Sequence, residues 1–245
     1  MTSVIVPAYK EGHIIQRTVD ELARVLDSCV PDYEIIVVDD GSPDDTCKVV
    51  TEMAARSPHV HIETYTKNHG KGYALRHGFN ASQGQTIVFF DADLDIPADC
   101  IPVLLQRLDM ADCDGIVGSK MHPESVVDYP WTRRAFSQAA HLFVWSLLQI
   151  SVKDTQVGLK AFRRPVLERI MHLPHVDGFA FDIELLALAQ KAGFKVTEGP
   201  VHIEYGHFAS TVTPSSIARA LMDTLGIFYR IRIKGVTFEE DNRKH

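Results

Sequence analysis

The sequence predicts an α/β fold, a mostly parallel sheet with helices on both faces. Short apolar runs recur at Ser3–Pro7, Tyr33–Val38, His59–Tyr65 and Thr86–Phe90, and each reads as a strand. Amphipathic stretches of helical spacing separate them. The strand runs are continuous rather than alternating, which is the pattern of a parallel sheet covered on both sides. With 245 residues, 45% hydrophobic and 23% charged, the chain has material for one sizeable core.

Taken in order, Pro7 ends the first strand, and Ala8 to Gly12 is a polar loop. Ile15, Val19, Leu22 and Leu26 then recur on one helical face, and Pro31 breaks that helix. The second strand ends in Asp39-Asp40-Gly41-Ser42-Pro43-Asp44, where Asp44 can cap a helix through Thr46–Ala55. Asn68 to Gly72 opens a third helix that Gly84 ends. Gly115–Ser119 reads as a further strand and Trp131–Ile150 as a long helix. Asp154 to Phe162 is a loop entering a strand. Phe179–Lys191 is a helix, and Lys195–Tyr205 holds one or two short strands. The last helix, Pro214–Ile233, carries Ile217, Leu221, Leu225 and Phe228 on one stripe, with Arg230, Arg232 and Lys234 late. That suits a helix lying on an anionic membrane, and equally one packed on its own core or a partner. The expected organisation is one domain over 1–212, with halves 1–119 and 120–212, an amphipathic helix over 213–235 and a polar tail over 236–245.

Several functions are disfavoured by composition. A net charge of −7 gives no general affinity for nucleic acid. Four cysteines without Cys-x-x-Cys spacing point to reduced thiols and a cytosolic setting. Twelve histidines include no His-x-x-x-His pair on a clear helix, so zinc is not expected. The start lacks a basic n-region, and no secretion signal is expected. The longest apolar run, Leu142–Ile150, is too short to span a bilayer.

The chemistry concentrates just past the fourth strand, at Asp91-Ala92-Asp93-Leu94-Asp95. Residues two apart on an extended chain point the same way, so Asp91, Asp93 and Asp95 could converge. Packed carboxylates repel unless a cation sits among them. Mg2+ or Mn2+ suits, held by one or two carboxylates with substrate phosphates completing the shell. The same run also reads as a solvated acidic turn before a helix. In parallel sheets ligands bind beyond the carboxyl ends of strands, where Pro7–Glu11, Asp39–Asp40 and Asp91–Asp95 all lie. Asp39 could accept a ring N–H of uracil or guanine. The helix start at Asn68–Gly72, with Lys71, offers N–H groups to an anion.

In that order and spacing, Val4-Ile-Val-Pro-Ala-Tyr-Lys-Glu, Val37-Val-Asp-Asp-Gly-Ser-Pro-Asp, Asn68-x-Gly-Lys-Gly and Phe90-Asp-Ala-Asp resemble the family 2 inverting glycosyltransferases of the GT-A fold. Asp154-Thr-Gln-x-Gly-x-Lys-x-Phe and Phe179-x-Phe-Asp-Ile-Glu-Leu-Leu are similar to the dolichyl- or polyprenyl-phosphate hexosyltransferases, nearest the dolichyl-phosphate glucosyltransferases, with the mannose synthases next.

The resemblance implies transfer of a hexose from a nucleotide sugar to a lipid phosphate. It implies a nucleotide-sugar site of Pro7, Ala8, Tyr9, Glu11, Asp39, Asp40, Lys71, Asp91, Ala92 and Asp93. Asp91, Asp93 and Asp95 would hold Mg2+ or Mn2+. Lys120, Arg133 and Arg134 are the candidates for gripping the acceptor phosphate. Asp93, Asp154 and Arg133 are the expected catalytic positions, with Asp154 and Gln156 read as polar support rather than as a base. Asp182 is expected to orient site residues or else to face water. UDP-glucose is favoured over GDP-mannose because mannosyl relatives tend to carry Gln at Asp95 and Arg at Lys160. Relatives often carry Gly-Ser-Lys before the last helix; here His207 to Thr211 lacks the Lys. The implied setting is the cytosolic face of a membrane, bound peripherally, with a homodimer or a membrane-spanning partner left open. A sugar nucleotidyltransferase would want a Gly-rich, Arg-Lys phosphate loop at Pro7–Gly12, which is absent. A nucleotide-sugar sensor would not need the full carboxylate set.

Overall fold

The computed structural model describes residues 1–127, 141–203 and 214–238. Its centre is a seven-stranded sheet in the order β3-β2-β1-β4-β7-β5-β8. The strands are β1 (Thr2–Ala8), β2 (Tyr33–Asp39), β3 (Val60–Thr64), β4 (Thr86–Phe89), β5 (Gly115–Ser119), β7 (Lys160–Arg163) and β8 (Val196–Pro200). The first four are mutually parallel, β5 is parallel to β8, and β7 runs antiparallel to both its neighbours. β6 (Val126–Val127) and β9 (His202–Ile203) form a separate parallel pair. The expected α/β architecture is therefore present.

Alternation along the strands splits the core into two layers. Val4, Val6, Ile35, Val37 and Val88 face α1 (Ile15–Cys29), α2 (Thr46–Ala54) and α4 (Cys100–Met110). Ile5, Ile36, Val38, Ile87 and Phe89 face α3 (Lys71–Ala81), α5 (described over 141–148), α6 (Arg164–Ile170), α7 (Phe181–Lys191) and the last helix. In α1 the predicted face is the buried one: Ile15, Val19, Leu22 and Leu26 are at most 1% exposed. Each such side chain contributes about 1.5–3 kcal/mol. Asp44 caps α2 from two residues before its first residue, its Oδ1 accepting from Thr46 N at 3.2 Å and Thr46 Oγ1 at 2.6 Å.

The C-terminal element differs from expectation. The α-helix α8 spans Pro214–Phe228 and continues as a π-helical turn, Tyr229–Lys234. Thr224, Ile227 and Ile231 face the core, while Leu221 and Leu225 of the predicted stripe are 44% and 45% exposed. Met222, Tyr229 and Ile233 are exposed beside them, as are Leu142 and Trp145 of α5. Helical spacing alone could not say which of two apolar faces turns inward. Arg230 pairs with Glu184 of α7, and Arg232 Nη2 donates to the Leu148 carbonyl. Among the described residues no helix is long and apolar enough to cross a membrane.

Candidate active site

The register sets Ala8 beside Asp39 and Ile5 beside Phe89, so the segments after β1, β2 and β4 open at one edge of the sheet. The first two are pinned together. Lys10 N donates to Ser42 Oγ at 3.0 Å, Glu11 N to Thr46 Oγ1 at 2.9 Å, and Gly12 N to Asp44 Oδ2 at 3.2 Å. Thr18, buried in α1, donates its hydroxyl to the Ala92 carbonyl at 2.6 Å and fixes the turn that follows β4. Ala8 and Ala92 are backbone-packed and buried, Pro7 is partly buried, and Tyr9 is exposed under the Lys10 ammonium.

The three carboxylates after β4 do not converge as the strand spacing suggested. β4 ends at Phe89, and Leu94 takes a positive φ of 56°, so the two-residue alternation stops at the turn. Asp93 Oδ1 instead accepts the Asp95 N–H at 3.0 Å. Among the described residues no three His, Cys, Asp or Glu side chains stand together as a ready metal cage. What does assemble is a file of alternating charge. Lys71 Nζ lies 2.6 Å from Asp91 Oδ1 and 3.3 Å from Asp182 Oδ2, and Lys160 Nζ lies 2.7 Å from Asp182 Oδ1. Side-chain exposure falls along it, from 34% at Asp91 through 16% at Lys71 to 4% at Asp182 and 1% at Lys160.

The electrostatics follow from that file. Burial pulls the Lys71 ammonium down, but Asp182 and Asp91 outweigh it and hold the group above its usual range. Burial would raise the Asp182 carboxyl, yet Lys160 and Lys71 keep it low. Lys160 is pulled below the normal lysine range by burial, against the attraction of Asp182. Near the rim, burial and then the Asp93 charge raise the Glu11 carboxyl. Asp93 is raised first by desolvation in the cleft, with the Asp91 charge adding to it and the Asp95 N–H opposing it. This donor set fits a hard divalent ion in the mode that uses one or two carboxylates and borrows the rest of its shell from phosphates. Asp91 and Asp93 would hold it, with the Glu11 carboxyl near enough to feel their charge.

Asp39 and Asp40 have separate jobs. Asp39 is 2% exposed and accepts from Ser42 N at 3.2 Å and Thr64 Oγ1 at 3.1 Å, which leaves further lone pairs on its carboxylate. Asp40 is spent inside the protein: it accepts from Asn68 Nδ2, His69 N and Gly70 N, each at 2.8 Å. Gly72 N donates to the Asp177 carbonyl at 2.8 Å. The entry to α3 was expected to offer an anion its N–H groups. Three of them are instead bound to Asp40 and Asp177, and the available cation there is the Lys71 side chain. Gly70, at φ 103°, approaches the Asp177 carbonyl closely enough that a Cβ would come within 2.5 Å of it.

On the acceptor side, Asp154 Oδ2 takes the Lys120 N–H at 2.9 Å and lies 3.1 Å from Lys120 Nζ. A carboxylate so engaged holds a lysine in place; it is not poised as a base. Gln156 is exposed. Arg133, Arg134 and the His207–Thr211 stretch lie outside the described residues. Asp182 and Glu184 are both buried, so neither faces water. Glu184 takes the His175 and Val176 N–H groups at 3.0 and 2.9 Å as well as Arg230.

Sequence reasoning left three residues out of the site, Lys160 being read only for the choice of donor. Thr18 gave no signal. Lys160 did give one, as a cation inside the apolar run Val157-Gly-Leu-Lys-Ala-Phe162, where only a buried partner makes the charge tolerable. Gly158 backs Asp91 directly: a Cβ there would sit 2.3 Å from Asp91 Oδ2.

Residues 3–171 match the model of "Glycosyl transferase family 2". The chain is 34% identical over 82% of its length to glycosyltransferase AglD of Haloferax volcanii, of which it covers 33%. It is 35% identical over 77% of its length to the human dolichyl-phosphate beta-glucosyltransferase, covering 62% of that protein. With polyprenol monophosphomannose synthase of Mycolicibacterium smegmatis it shares 36% identity over 82% of its length and 76% of the relative's. The chain thus spans a third of the archaeal relative and under two thirds of the human one. A crystal structure of glucosyl-3-phosphoglycerate synthase from Mycobacterium tuberculosis, in complex with Mn2+, UDP-glucose and phosphoglyceric acid, has the same fold. Its TM-score is 0.70 at 19% identity, over 94% of this chain and 79% of that one. By the family model and the identity to these relatives, the chain belongs to glycosyl transferase family 2.

Proposed function

We propose that this glycosyltransferase moves one hexose from a nucleotide sugar to a polyprenyl or dolichyl phosphate, with inversion at the anomeric carbon. The observation that carries the reading is the joint opening of β1, β2 and β4 onto Asp39, Glu11, Asp91, Asp93 and the Lys71 ammonium. Asp39 keeps lone pairs for a base N–H at the floor of the cleft. Lys71 brings fixed positive charge to the diphosphate. A divalent ion, Mg2+ or Mn2+, would add neutralisation of charge on the leaving diphosphate when bound between Asp91 and Asp93. A phosphate monoester loses its second proton near pH about 6, so the acceptor oxygen arrives already anionic. The protein then needs cations to hold it more than a base to activate it. Lys120, kept in place by Asp154, is one, with Arg133 and Arg134 proposed to complete the grip. The lipid acceptor is supported by the names of the human and mycobacterial relatives.

UDP-glucose is the favoured donor. A pocket that pairs with uracil leaves polar groups unmatched against guanine. GDP-mannose is the second reading, favoured by the 36% identity to a mannose synthase. The exposed apolar residues of α8, its π turn and α5, with the exposed Arg232 and Lys234 nearby, would rest on the cytosolic face of a membrane.

The test is release of nucleoside diphosphate, measured with UDP-glucose, UDP-galactose, UDP-GlcNAc and GDP-mannose, each with Mg2+ or Mn2+ and a short polyprenyl phosphate. Release that needs both the sugar donor and the lipid phosphate is expected, with UDP-glucose best. Turnover with GDP-mannose but not UDP-glucose would replace the donor. Pyrophosphate release would replace the reaction.

A further inference from the structure

Lys71 stands where charge balance calls for a cation. Its Nζ is 2.6 Å from Asp91 Oδ1, a carboxylate assigned above to the metal and the diphosphate. Asp91 cannot retreat, because Gly158 lies directly behind it. Lys71 cannot leave freely either, because its ammonium is tethered to Asp182 Oδ2 at 3.3 Å. Asp182 is itself fixed by Lys160, whose Nζ also donates to the Val157 carbonyl. The file Lys160–Asp182–Lys71–Asp91 carries two positive and two negative charges, so it is neutral as it stands. A divalent cation arriving at Asp91 would meet an ammonium already on Oδ1, and like charges at that distance exclude each other. The tether leaves the ammonium a short swing about Asp182, and the one new anion that enters the cleft with the metal is the donor's diphosphate.

We infer that Lys71 is a stand-in cation, which neutralises Asp91 before the donor arrives and passes to the diphosphate when a divalent metal takes its place. Lys160 and Asp182 are then positioning residues that set its reach. This rests on the metal and nucleotide reading given above and goes beyond it in one respect. The same lysine opposes binding of the metal alone and favours binding of the metal with nucleotide, which couples the two ligands. A lysine that merely contacted phosphate would leave the binding of bare metal unchanged.

The experiment reads binding. Mn2+ affinity without nucleotide is followed by the electron paramagnetic resonance of the free ion, and UDP affinity at saturating Mn2+ by calorimetry. In Lys71→Met the expected result is opposite shifts: Mn2+ alone binds about tenfold tighter, and UDP with Mn2+ about tenfold weaker. Lys71→Arg keeps the charge and should restore the weak binding of Mn2+ alone. Asp182 retains Lys160 in these variants, so no anion is left bare in the core. Should the Met variant fail to fold by circular dichroism, Lys71→Gln carries the same measurement. Unchanged or weaker Mn2+ binding in the charge-free variant would overturn the stand-in role and leave the site reading intact, provided wild type binds both ligands. A wild type that binds neither Mn2+ nor UDP would overturn both.

Discussion

Gly158→Ala tests the site from its back wall. The added Cβ would lie 2.3 Å from Asp91 Oδ2, 2.5 Å from Cγ and 2.8 Å from Cβ. Because Asp91 Cβ is itself among the close atoms, turning the carboxylate about its own torsions cannot relieve the overlap. The Asp91 side chain or the 156–158 loop must shift bodily. Overpacking of this kind costs about 1–3 kcal/mol, and for a chain of this size the midpoint of thermal unfolding should fall by about 2–12 °C. The fold survives that. Activity should suffer more, since the displacement carries the Asp91 carboxylate away from the place where it would hold the divalent ion. A misplacement of about 1 Å in a catalytic constellation costs about 100-fold, or about 2.7 kcal/mol of barrier. The assay is kcat/KM for UDP release with saturating lipid phosphate, beside a thermal melt. Gly178→Ala is the control, because a Cβ there meets nothing within 4 Å. A Gly158→Ala enzyme that melts lower yet keeps wild-type kcat/KM would refute the assignment of Asp91.

Three further outcomes are expected. Arg230→Ala leaves the Glu184 carboxylate, 1% exposed, without its cation, so urea unfolding should show a loss of about 3–5 kcal/mol; a loss under about 1 kcal/mol would mean that solvent already screens the pair. Burial, and then Asp27 as acceptor of its hydroxyl, raises the Tyr33 phenol from 10.0 to about 12. A raised folded pKa gives stability that is complete below pH 10.0 and lost as pH rises through about 12, so Tyr33→Phe should flatten alkaline unfolding in that window, and an unaltered profile would count against it. Met222→Asp with Leu225→Asp, on the 69% and 45% exposed positions of α8, should weaken binding to anionic vesicles without lowering the thermal midpoint; equal vesicle binding would move the interfacial role elsewhere. Substitution is the cleaner test here, because deleting 214–245 would also remove Ile227 and Ile231 from the core.

Elements with strong local signals were legible. Continuous apolar strands and the α1 stripe announced themselves because burial on both sides of a parallel sheet leaves no polar positions to blur the pattern. The ordered motifs likewise located Asp39 and Asp91 at strand ends and Lys71 at the start of α3. The convergence of Asp91, Asp93 and Asp95 failed because strand geometry was carried past the residue where the strand stops. Asp40 and the α3 amides were misread for a related reason: a free N–H in a sequence becomes a satisfied one when a carboxylate from 28–30 residues away takes it. Lys160 and Asp182 lie 22 positions apart, and local pattern cannot pair them. The short helix α6 has too little length for periodicity to register, and the π turn after α8 is anchored by Glu184 and Leu148, which belong to other elements.

The place of β7 in the sheet has a consequence for how the chain is made. β1 to β4 are complete by Phe89, but the strand that seals the open side of β4 begins only at Lys160. Until then a growing chain carries Thr86–Phe89 as an edge with unpaired backbone groups and apolar side chains, a template for pairing with another chain. At a synthesis rate of about 5–20 residues per second, that edge stays open for several seconds. β7 then docks between β4 and β5 and closes β4, while Lys160 meets Asp182 only once α7 has followed. Closure of β4, pairing of Lys160 with Asp182 and addition of β8 thus follow one another late in synthesis, and a nascent chain stalled before residue 160 should be both sticky and without the buried ion pair.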